Sequence, residues 1–175
     1  PHIIFADADI DAAIDNAVTA AFLHSGQVCS AGTRLIVERS IHDRVVKEIV
    51  RRAAQIRMGG PDDLSAETGP LISKSHLEGV TKYVEKGIAE GATLLVGGKR
   101  SEKNEHAKGW YFLPTVLDNC TTKMFCVQEE SFGPVMTVEV FDSEKEALDF
   151  AYEISLDKEA IDKFALGGSI NLTAK

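Results

Sequence analysis

The sequence predicts an α/β fold class: a layered domain with a largely parallel sheet flanked by helices. Three observations predict it. Segments with apolar residues at helical spacing alternate with short β-branched runs through most of the chain. The 175 residues, 44% hydrophobic and 26% charged, suffice for one ordinary domain with a substantial core. Neither an internal repeat nor a low-complexity linker divides them.

The elements follow in order. His2–Phe5 is a short apolar run that reads as a buried strand. Ile10, Ala13, Ile14, Ala17, Val18, Ala21 and Phe22 recur at helical spacing and predict a helix over 9–24, with Asp7, Asp9 and Asp11 at its positive end. Gly26 ends it, and a run of small and polar residues then carries Cys29. Arg34–Arg39 reads as a strand. Val45, Val46, Ile49, Val50, Ala53 and Ile56 form the apolar face of a second helix. Its other face, with Arg44, Lys47, Arg51 and Arg52, reads as a solvated face. Met58–Pro70 is a loop rich in Gly, Pro, Asp and Ser.

Ser73 caps a third helix built on Leu77, Val80, Val84 and Ile88, which Gly91 stops. Ala92–Gly97 reads as a strand, and the charged segment from Gly97 to His106 as an exposed loop. Trp110–Leu117 has strand composition, with Pro114 marking an edge or a bend. Gln128–Pro134 is a second polar junction rich in turn residues. Val135–Phe141 alternates like a half-buried strand. Ser143 and Glu146 form a capping box for a last helix on Ala147, Leu148, Ala151 and Ile154.

Composition narrows the function. A formal charge of −8 argues against a nucleic-acid partner, which needs a basic face. No apolar run approaches the roughly 18 residues of a membrane helix, and no signal peptide opens the chain, so no membrane partner is expected. Three widely spaced cysteines fit a reducing compartment, and a cytoplasmic location is expected. The five histidines lack metal-ligand spacing and are expected at the surface or at boundaries; no metal is assigned.

In an α/β sheet the functional loops gather at strand ends, which singles out the two junctions around Cys29 and Glu130. Most free cysteines are small core residues. Cys29 differs, flanked by Gln27, Ser25 and Ser30 and bracketed by Gly26 and Gly32, so its thiol can be presented to a substrate. A helix ending before it has its dipole the wrong way round to activate the thiol, which leaves activation to a base elsewhere. Cys120 and Cys126 sit in apolar surroundings and read as structural. Glu129 and Glu130 read either as a solvated acidic pair or as carboxylates able to accept the two hydroxyls of a ribose. No GxGxxG accompanies them.

Five segments together resemble the NAD(P)-dependent aldehyde dehydrogenase superfamily. They are Ile3–Ala13, Gly26–Arg34, Gly69–Ser73, Glu90–Lys99 and Gln128–Val135, in the family's order and spacing over about the first 150 residues. Within the superfamily, Gln27-Val-Cys-Ser-Ala-Gly-Thr-Arg34 is similar to betaine-aldehyde dehydrogenases of the bacterial type. The resemblance implies oxidation of a small aldehyde substrate to its acid. Cys29 would be the nucleophile, passing through a thiohemiacetal and a thioester, with its backbone N–H in the oxyanion hole. It also implies that Glu130 binds the ribose on the nicotinamide side of NAD, or of NADP, and that Phe132 packs beside that ribose. Gln27 would stand one shell behind.

The resemblance has gaps. The family's general-base glutamate, its oxyanion asparagine and its Rossmann-type cofactor domain all precede the point matching Pro1. Ser131 stands where the family has valine or isoleucine. Residues 1–154 are expected to be a partial catalytic domain, a truncated version of the family's. Residues 155–175 form a divergent end, either a shortened final helix and strand or a displaced Leu-Gly-Gly segment with Ala165 in place of glutamate. The hairpin the family uses for dimerisation is not matched, so a family-type homo-oligomer is expected only of a full-length protein. Two further readings stand beside the dehydrogenase: a non-catalytic fragment or pseudoenzyme serving as an interaction module, and an NAD-independent thiol esterase using Cys29.

Overall fold

The computed structural model describes residues 1–153. Five strands form one sheet: β1 (His2–Ile4), β2 (Arg34–Glu38), β3 (Thr93–Val96), β4 (Thr115–Asp118) and β5 (Val135–Phe141), in the order β1-β2-β5-β4-β3. Every pairing is parallel except β3 with β4, which is antiparallel and slips register between Leu94 and Val96. The helices are α1 (Ile10–Phe22), α2 (His42–Ala53), α3 (Lys74–Ala89), the single turn α4 (Phe125–Gln128) and α5 (Glu144–Glu153). The predicted caps form: Ser73 accepts from the His76 N–H and Ser143 from Glu146; of the carboxylates at the start of α1, Asp9 caps it by accepting from the Ala12 N–H. None of the helices among the described residues is long and apolar enough to cross a membrane.

Strand alternation sorts the core into two layers. Leu35, Val37, Val116, Met136 and Val138 meet the apolar faces of α1 and α2. From the opposite face of the sheet, Leu117 and Val135 meet α3, while Ile36 and Phe141 meet α5 through Ala147. The solvated reading of α2 holds: Arg44 pairs with Asp11, Arg51 with Glu48, and Arg52 with Asp15 and Glu48.

Four expectations need correction. β5 is not half-buried but the central strand, covered on both faces, as parallel sheets are. Its polar residues read as an alternation, yet Thr137 and Glu139 are buried too. The run Trp110–Leu117 is not one strand. Phe112 makes an isolated bridge to Arg100, and β4 begins only after Pro114 and is interior, not an edge. His106 is not at a boundary; it is 1% exposed, stacked on Tyr111 with ring centroids 4.2 Å apart. The helix expected over 9–24 ends at Phe22, because His24 and Ser25 adopt left-handed backbone. Ile154 and the segment 155–175 lie outside the described residues.

Candidate active site

The two junctions precede β2 and β5, neighbouring parallel strands, so both stand at the amino end of the sheet. Open parallel sheets more often use their carboxyl ends. The junctions touch through glycine. A Cβ added to Gly26 would stand 2.2 Å from the Gly133 carbonyl oxygen, and one on Gly133 would stand 2.7 Å from Cγ2 of Val80 on α3. Gly26 also has φ +68°, so glycine answers both the turn and the close approach.

Cys29 is exposed at a turn closed by the Ala31 N–H donating to the Val28 carbonyl at 2.9 Å. The chain reaches it through three consecutive left-handed residues, His24 (φ 50°), Ser25 (φ 57°) and Gly26 (φ 68°). Two of these are not glycine, a conformation costing about 1–2 kcal/mol each unless the surroundings hold it. They are held. The Ser25 N–H donates to Thr68 Oγ1 at 2.8 Å, the Ser25 hydroxyl donates to the Gly69 carbonyl, and Thr68 donates to the Phe22 carbonyl at 3.1 Å. Gln27 bridges to the loop before α3, accepting from the Ile72 N–H at 2.9 Å and donating to the Pro70 carbonyl at 3.3 Å.

After Cys29, β2 is anchored by Arg34, whose guanidinium grips Glu139 of β5 at both carboxylate oxygens, Nη2 to Oε1 at 3.0 Å and Nε to Oε2. The carboxylate is 1% exposed and the guanidinium 12%. The thiol thus stands on a loop fixed at both ends.

On the other junction, Glu129 and Glu130 are exposed. Glu130 makes no hydrogen bond or ion pair among the described residues, so its carboxylate is available to a ligand. Phe132 has left-handed backbone, φ 47°, and a ring 37% exposed. Its carbonyl accepts from His76 Nε2 at 2.7 Å, which puts the imidazole proton on that nitrogen. The Tyr83 hydroxyl donates to the Cys126 carbonyl and reaches the Glu129 carbonyl at 3.1 Å; burial pushes its own pKa far above the usual phenol range. Ser131 turns inward, 3.3 Å from the Gly133 N–H, a local bond that valine or isoleucine would not make.

Cys120 and Cys126 are buried. The hydrogen bond that the Cys120 thiol donates to Cys126, together with burial, pushes the Cys120 thiol up. No cluster among the described residues could hold a metal ion.

Sequence reading singled out Cys29, Glu130 and Phe132 but missed Thr68, His76 and Tyr83. These three bind backbone carbonyls or amides across the fold, and nothing in their local spacing signals that. Only Thr68 had a pointer, its place beside the Gly69–Ser73 segment.

Comparison with known proteins adds ancestry to this geometry. Residues 1–155 match the model of the aldehyde dehydrogenase family. The chain is 52% identical over 151 residues to the betaine aldehyde dehydrogenase of Bacillus subtilis, covering 86% of this chain and 31% of that one. It is also similar to the crystal structure of betaine aldehyde dehydrogenase from Staphylococcus aureus in complex with NAD⁺. The TM-score is 0.86 at 41% identity, over 95% of this chain and 35% of that one. An apo form of a variant of that enzyme gives a TM-score of 0.85 at 41% identity, over 94% and 34% of the two chains. The chain therefore spans about a third of the length of the relatives it matches. The chain belongs to the aldehyde dehydrogenase family.

Proposed function

We propose that this chain carries the nucleophile and part of the nicotinamide-side cofactor site of an NAD-dependent aldehyde dehydrogenase, betaine aldehyde being the foremost substrate. The observation that carries the reading is the contact between the two junctions. An exposed thiol on a doubly anchored loop and an exposed carboxylate, unpaired among the described residues, stand at one end of the sheet on junctions that touch through Gly26 and Gly133.

The residues present fit a nicotinamide ribose. Glu130 offers two free acceptor oxygens to vicinal hydroxyls, and Phe132, pinned at its carbonyl by His76, offers an apolar ring edge. When bound, NAD supplies the acceptor for the hydride that the substrate carbon gives up. Cys29 does the covalent work. Its thiolate adds to the aldehyde carbon, and the resulting thiohemiacetal holds that carbon in a fixed orientation. Its backbone N–H donates to the oxygen on which charge develops. After oxidation the carbon remains on sulfur as a thioester, which water cleaves to release the acid and the thiol. A base from outside the described residues takes the protons. NADP remains the alternative cofactor, and a homo-oligomer of the family type belongs to the full-length protein.

The test supplies the preceding part of the Bacillus subtilis relative in trans with NAD and betaine aldehyde, and follows NADH absorbance. Turnover is expected to vanish in Cys29→Ser, and Glu130→Gln is expected to raise the KM for NAD. Turnover that survives Cys29→Ser overturns the reading.

A further inference from the structure

The turn that delivers Cys29 is left-handed at three residues in a row, and one side chain outside the junction meets it. Thr68 Oγ1 accepts from the Ser25 N–H at 2.8 Å, lies 3.0 Å from Ser25 Oγ, and donates to the Phe22 carbonyl at 3.1 Å. Phe22 is the last residue of α1 and Ser25 the middle of the turn. One buried hydroxyl therefore spans the point where the helix stops and the turn begins.

Thr68 is itself held from behind. Met58 bridges to Thr68 in parallel, and the Gly59 N–H donates to the Thr68 carbonyl at 3.0 Å. The Met58 carbonyl accepts from His106 Nε2 at 3.1 Å. That bond places a proton on Nε2. In the neutral ring Nδ1 is then the acceptor, and the Ser101 hydroxyl donates to it at 2.6 Å. Ser101 is 5% exposed and His106 1%, in a region where neither is aimed at solvent. This buried pair anchors Met58, hence Thr68, hence the turn.

We propose that Thr68, buttressed by His106, is a positioning residue for Cys29, acting through Ser25 to fix the left-handed turn His24–Gly26. The proposal rests on the reading of Cys29 as the nucleophile but is tested without turnover. Thr68→Val keeps the shape and removes the hydroxyl; Thr68→Ser keeps the hydroxyl.

In the folded chain, Thr68→Val speeds hydrogen exchange of the Ser25 amide about tenfold, the value of one lost hydrogen bond of about 1.4 kcal/mol. Exchange in α3 stays unchanged. The rate of Cys29 alkylation by iodoacetamide, read by peptide mass, shifts by at least about threefold as the thiol leaves its fixed place. Thr68→Ser restores both, and His106→Phe reproduces the exchange effect more weakly. Wild-type exchange at Ser25, or a wild-type alkylation rate, in Thr68→Val overturns the proposal. If Thr68→Val does not fold, Thr68→Ala removes the same hydroxyl, and wild-type exchange at Ser25 or a wild-type Cys29 alkylation rate there overturns it equally. Failure here leaves the nucleophile reading standing, since that is decided by Cys29→Ser.

Discussion

Arg34 and Glu139 provide the sharpest energetic test of how the Cys29 loop is anchored. The two side chains lie on adjacent parallel strands, joined at both carboxylate oxygens, with the carboxylate almost wholly removed from water. Breaking a buried ion pair by deleting one partner costs about 3–5 kcal/mol, whereas replacing both by apolar residues is often neutral. The burial of each partner sets where in that range each variant falls. In Glu139→Leu the guanidinium left behind keeps 12% exposure and can recruit water, so the loss is about 3 kcal/mol. In Arg34→Met the carboxylate left behind is 1% exposed, so the loss is about 5 kcal/mol. The double variant loses about 1 kcal/mol or less.

Urea unfolding followed by circular dichroism reads all three. With a slope of about 2 kcal/mol per molar, the midpoints fall by about 1.5 M and 2.5 M in the single variants and by less than about 0.5 M in the double. The Arg34→Met chain also regains stability as pH falls, because a buried carboxyl that has lost the guanidinium takes up a proton more readily folded than unfolded. A loss below about 1 kcal/mol in Arg34→Met, or additive single losses, refutes the claim that this pair anchors β2 to β5 as a buried unit.

Two further outcomes follow from the same geometry. Gly26→Ala places a methyl group within 2.2 Å of the Gly133 carbonyl at φ +68°, so the two junctions must separate; a thermal melt is expected to drop by the equivalent of at least about 2 kcal/mol, and an unchanged melt removes the contact. His42 joins α2 to the end of β4 through Asp118 at 3.0 Å and also meets Asp43 at 2.9 Å. Burial opposes its charge, yet the hydrogen bonds to Asp118 and Asp43 outweigh burial and hold its pKa above 6.5. Its contribution is therefore complete below the unfolded value and fades as pH rises through the raised one. Raising pH from about 6 to about 8 should cost wild type a few tenths of a kcal/mol more than His42→Gln; equal pH dependence of the two melting curves counts against the pin.

How far the sequence could be read depended on whether the information was local. α1, α2, α3 and α5 announce themselves through spacing, and Ser73 and Ser143 cap α3 and α5 where expected. The burial of β5 was hidden, because Thr137 and Glu139 look solvated until Arg34 is placed beside them by a neighbouring strand. His106 was misplaced in part for the same reason: Met58, 48 residues away, is brought to it by the fold. At the site, the small and polar residues around Cys29 signalled an unusual cysteine. What holds the loop, from Thr68 to the Gly26–Gly133 contact, is tertiary and left no periodic trace.

The order of the sheet has a consequence for how the site comes into being. β5 enters between β2 and β4 although it is the last strand among the described residues, and Arg34 and Glu139 are 105 residues apart in sequence. Until β5 is made, β1–β2 and β4–β3 are two ribbons, each with an open edge that another chain could pair with. Insertion of that one strand joins the halves, closes both edges and brings Gly133 against Gly26. Such long-range closure is slow, since loop entropy must be overcome before contacts form. During synthesis the thiol loop therefore lacks its counterpart until residues 133–141 have been made.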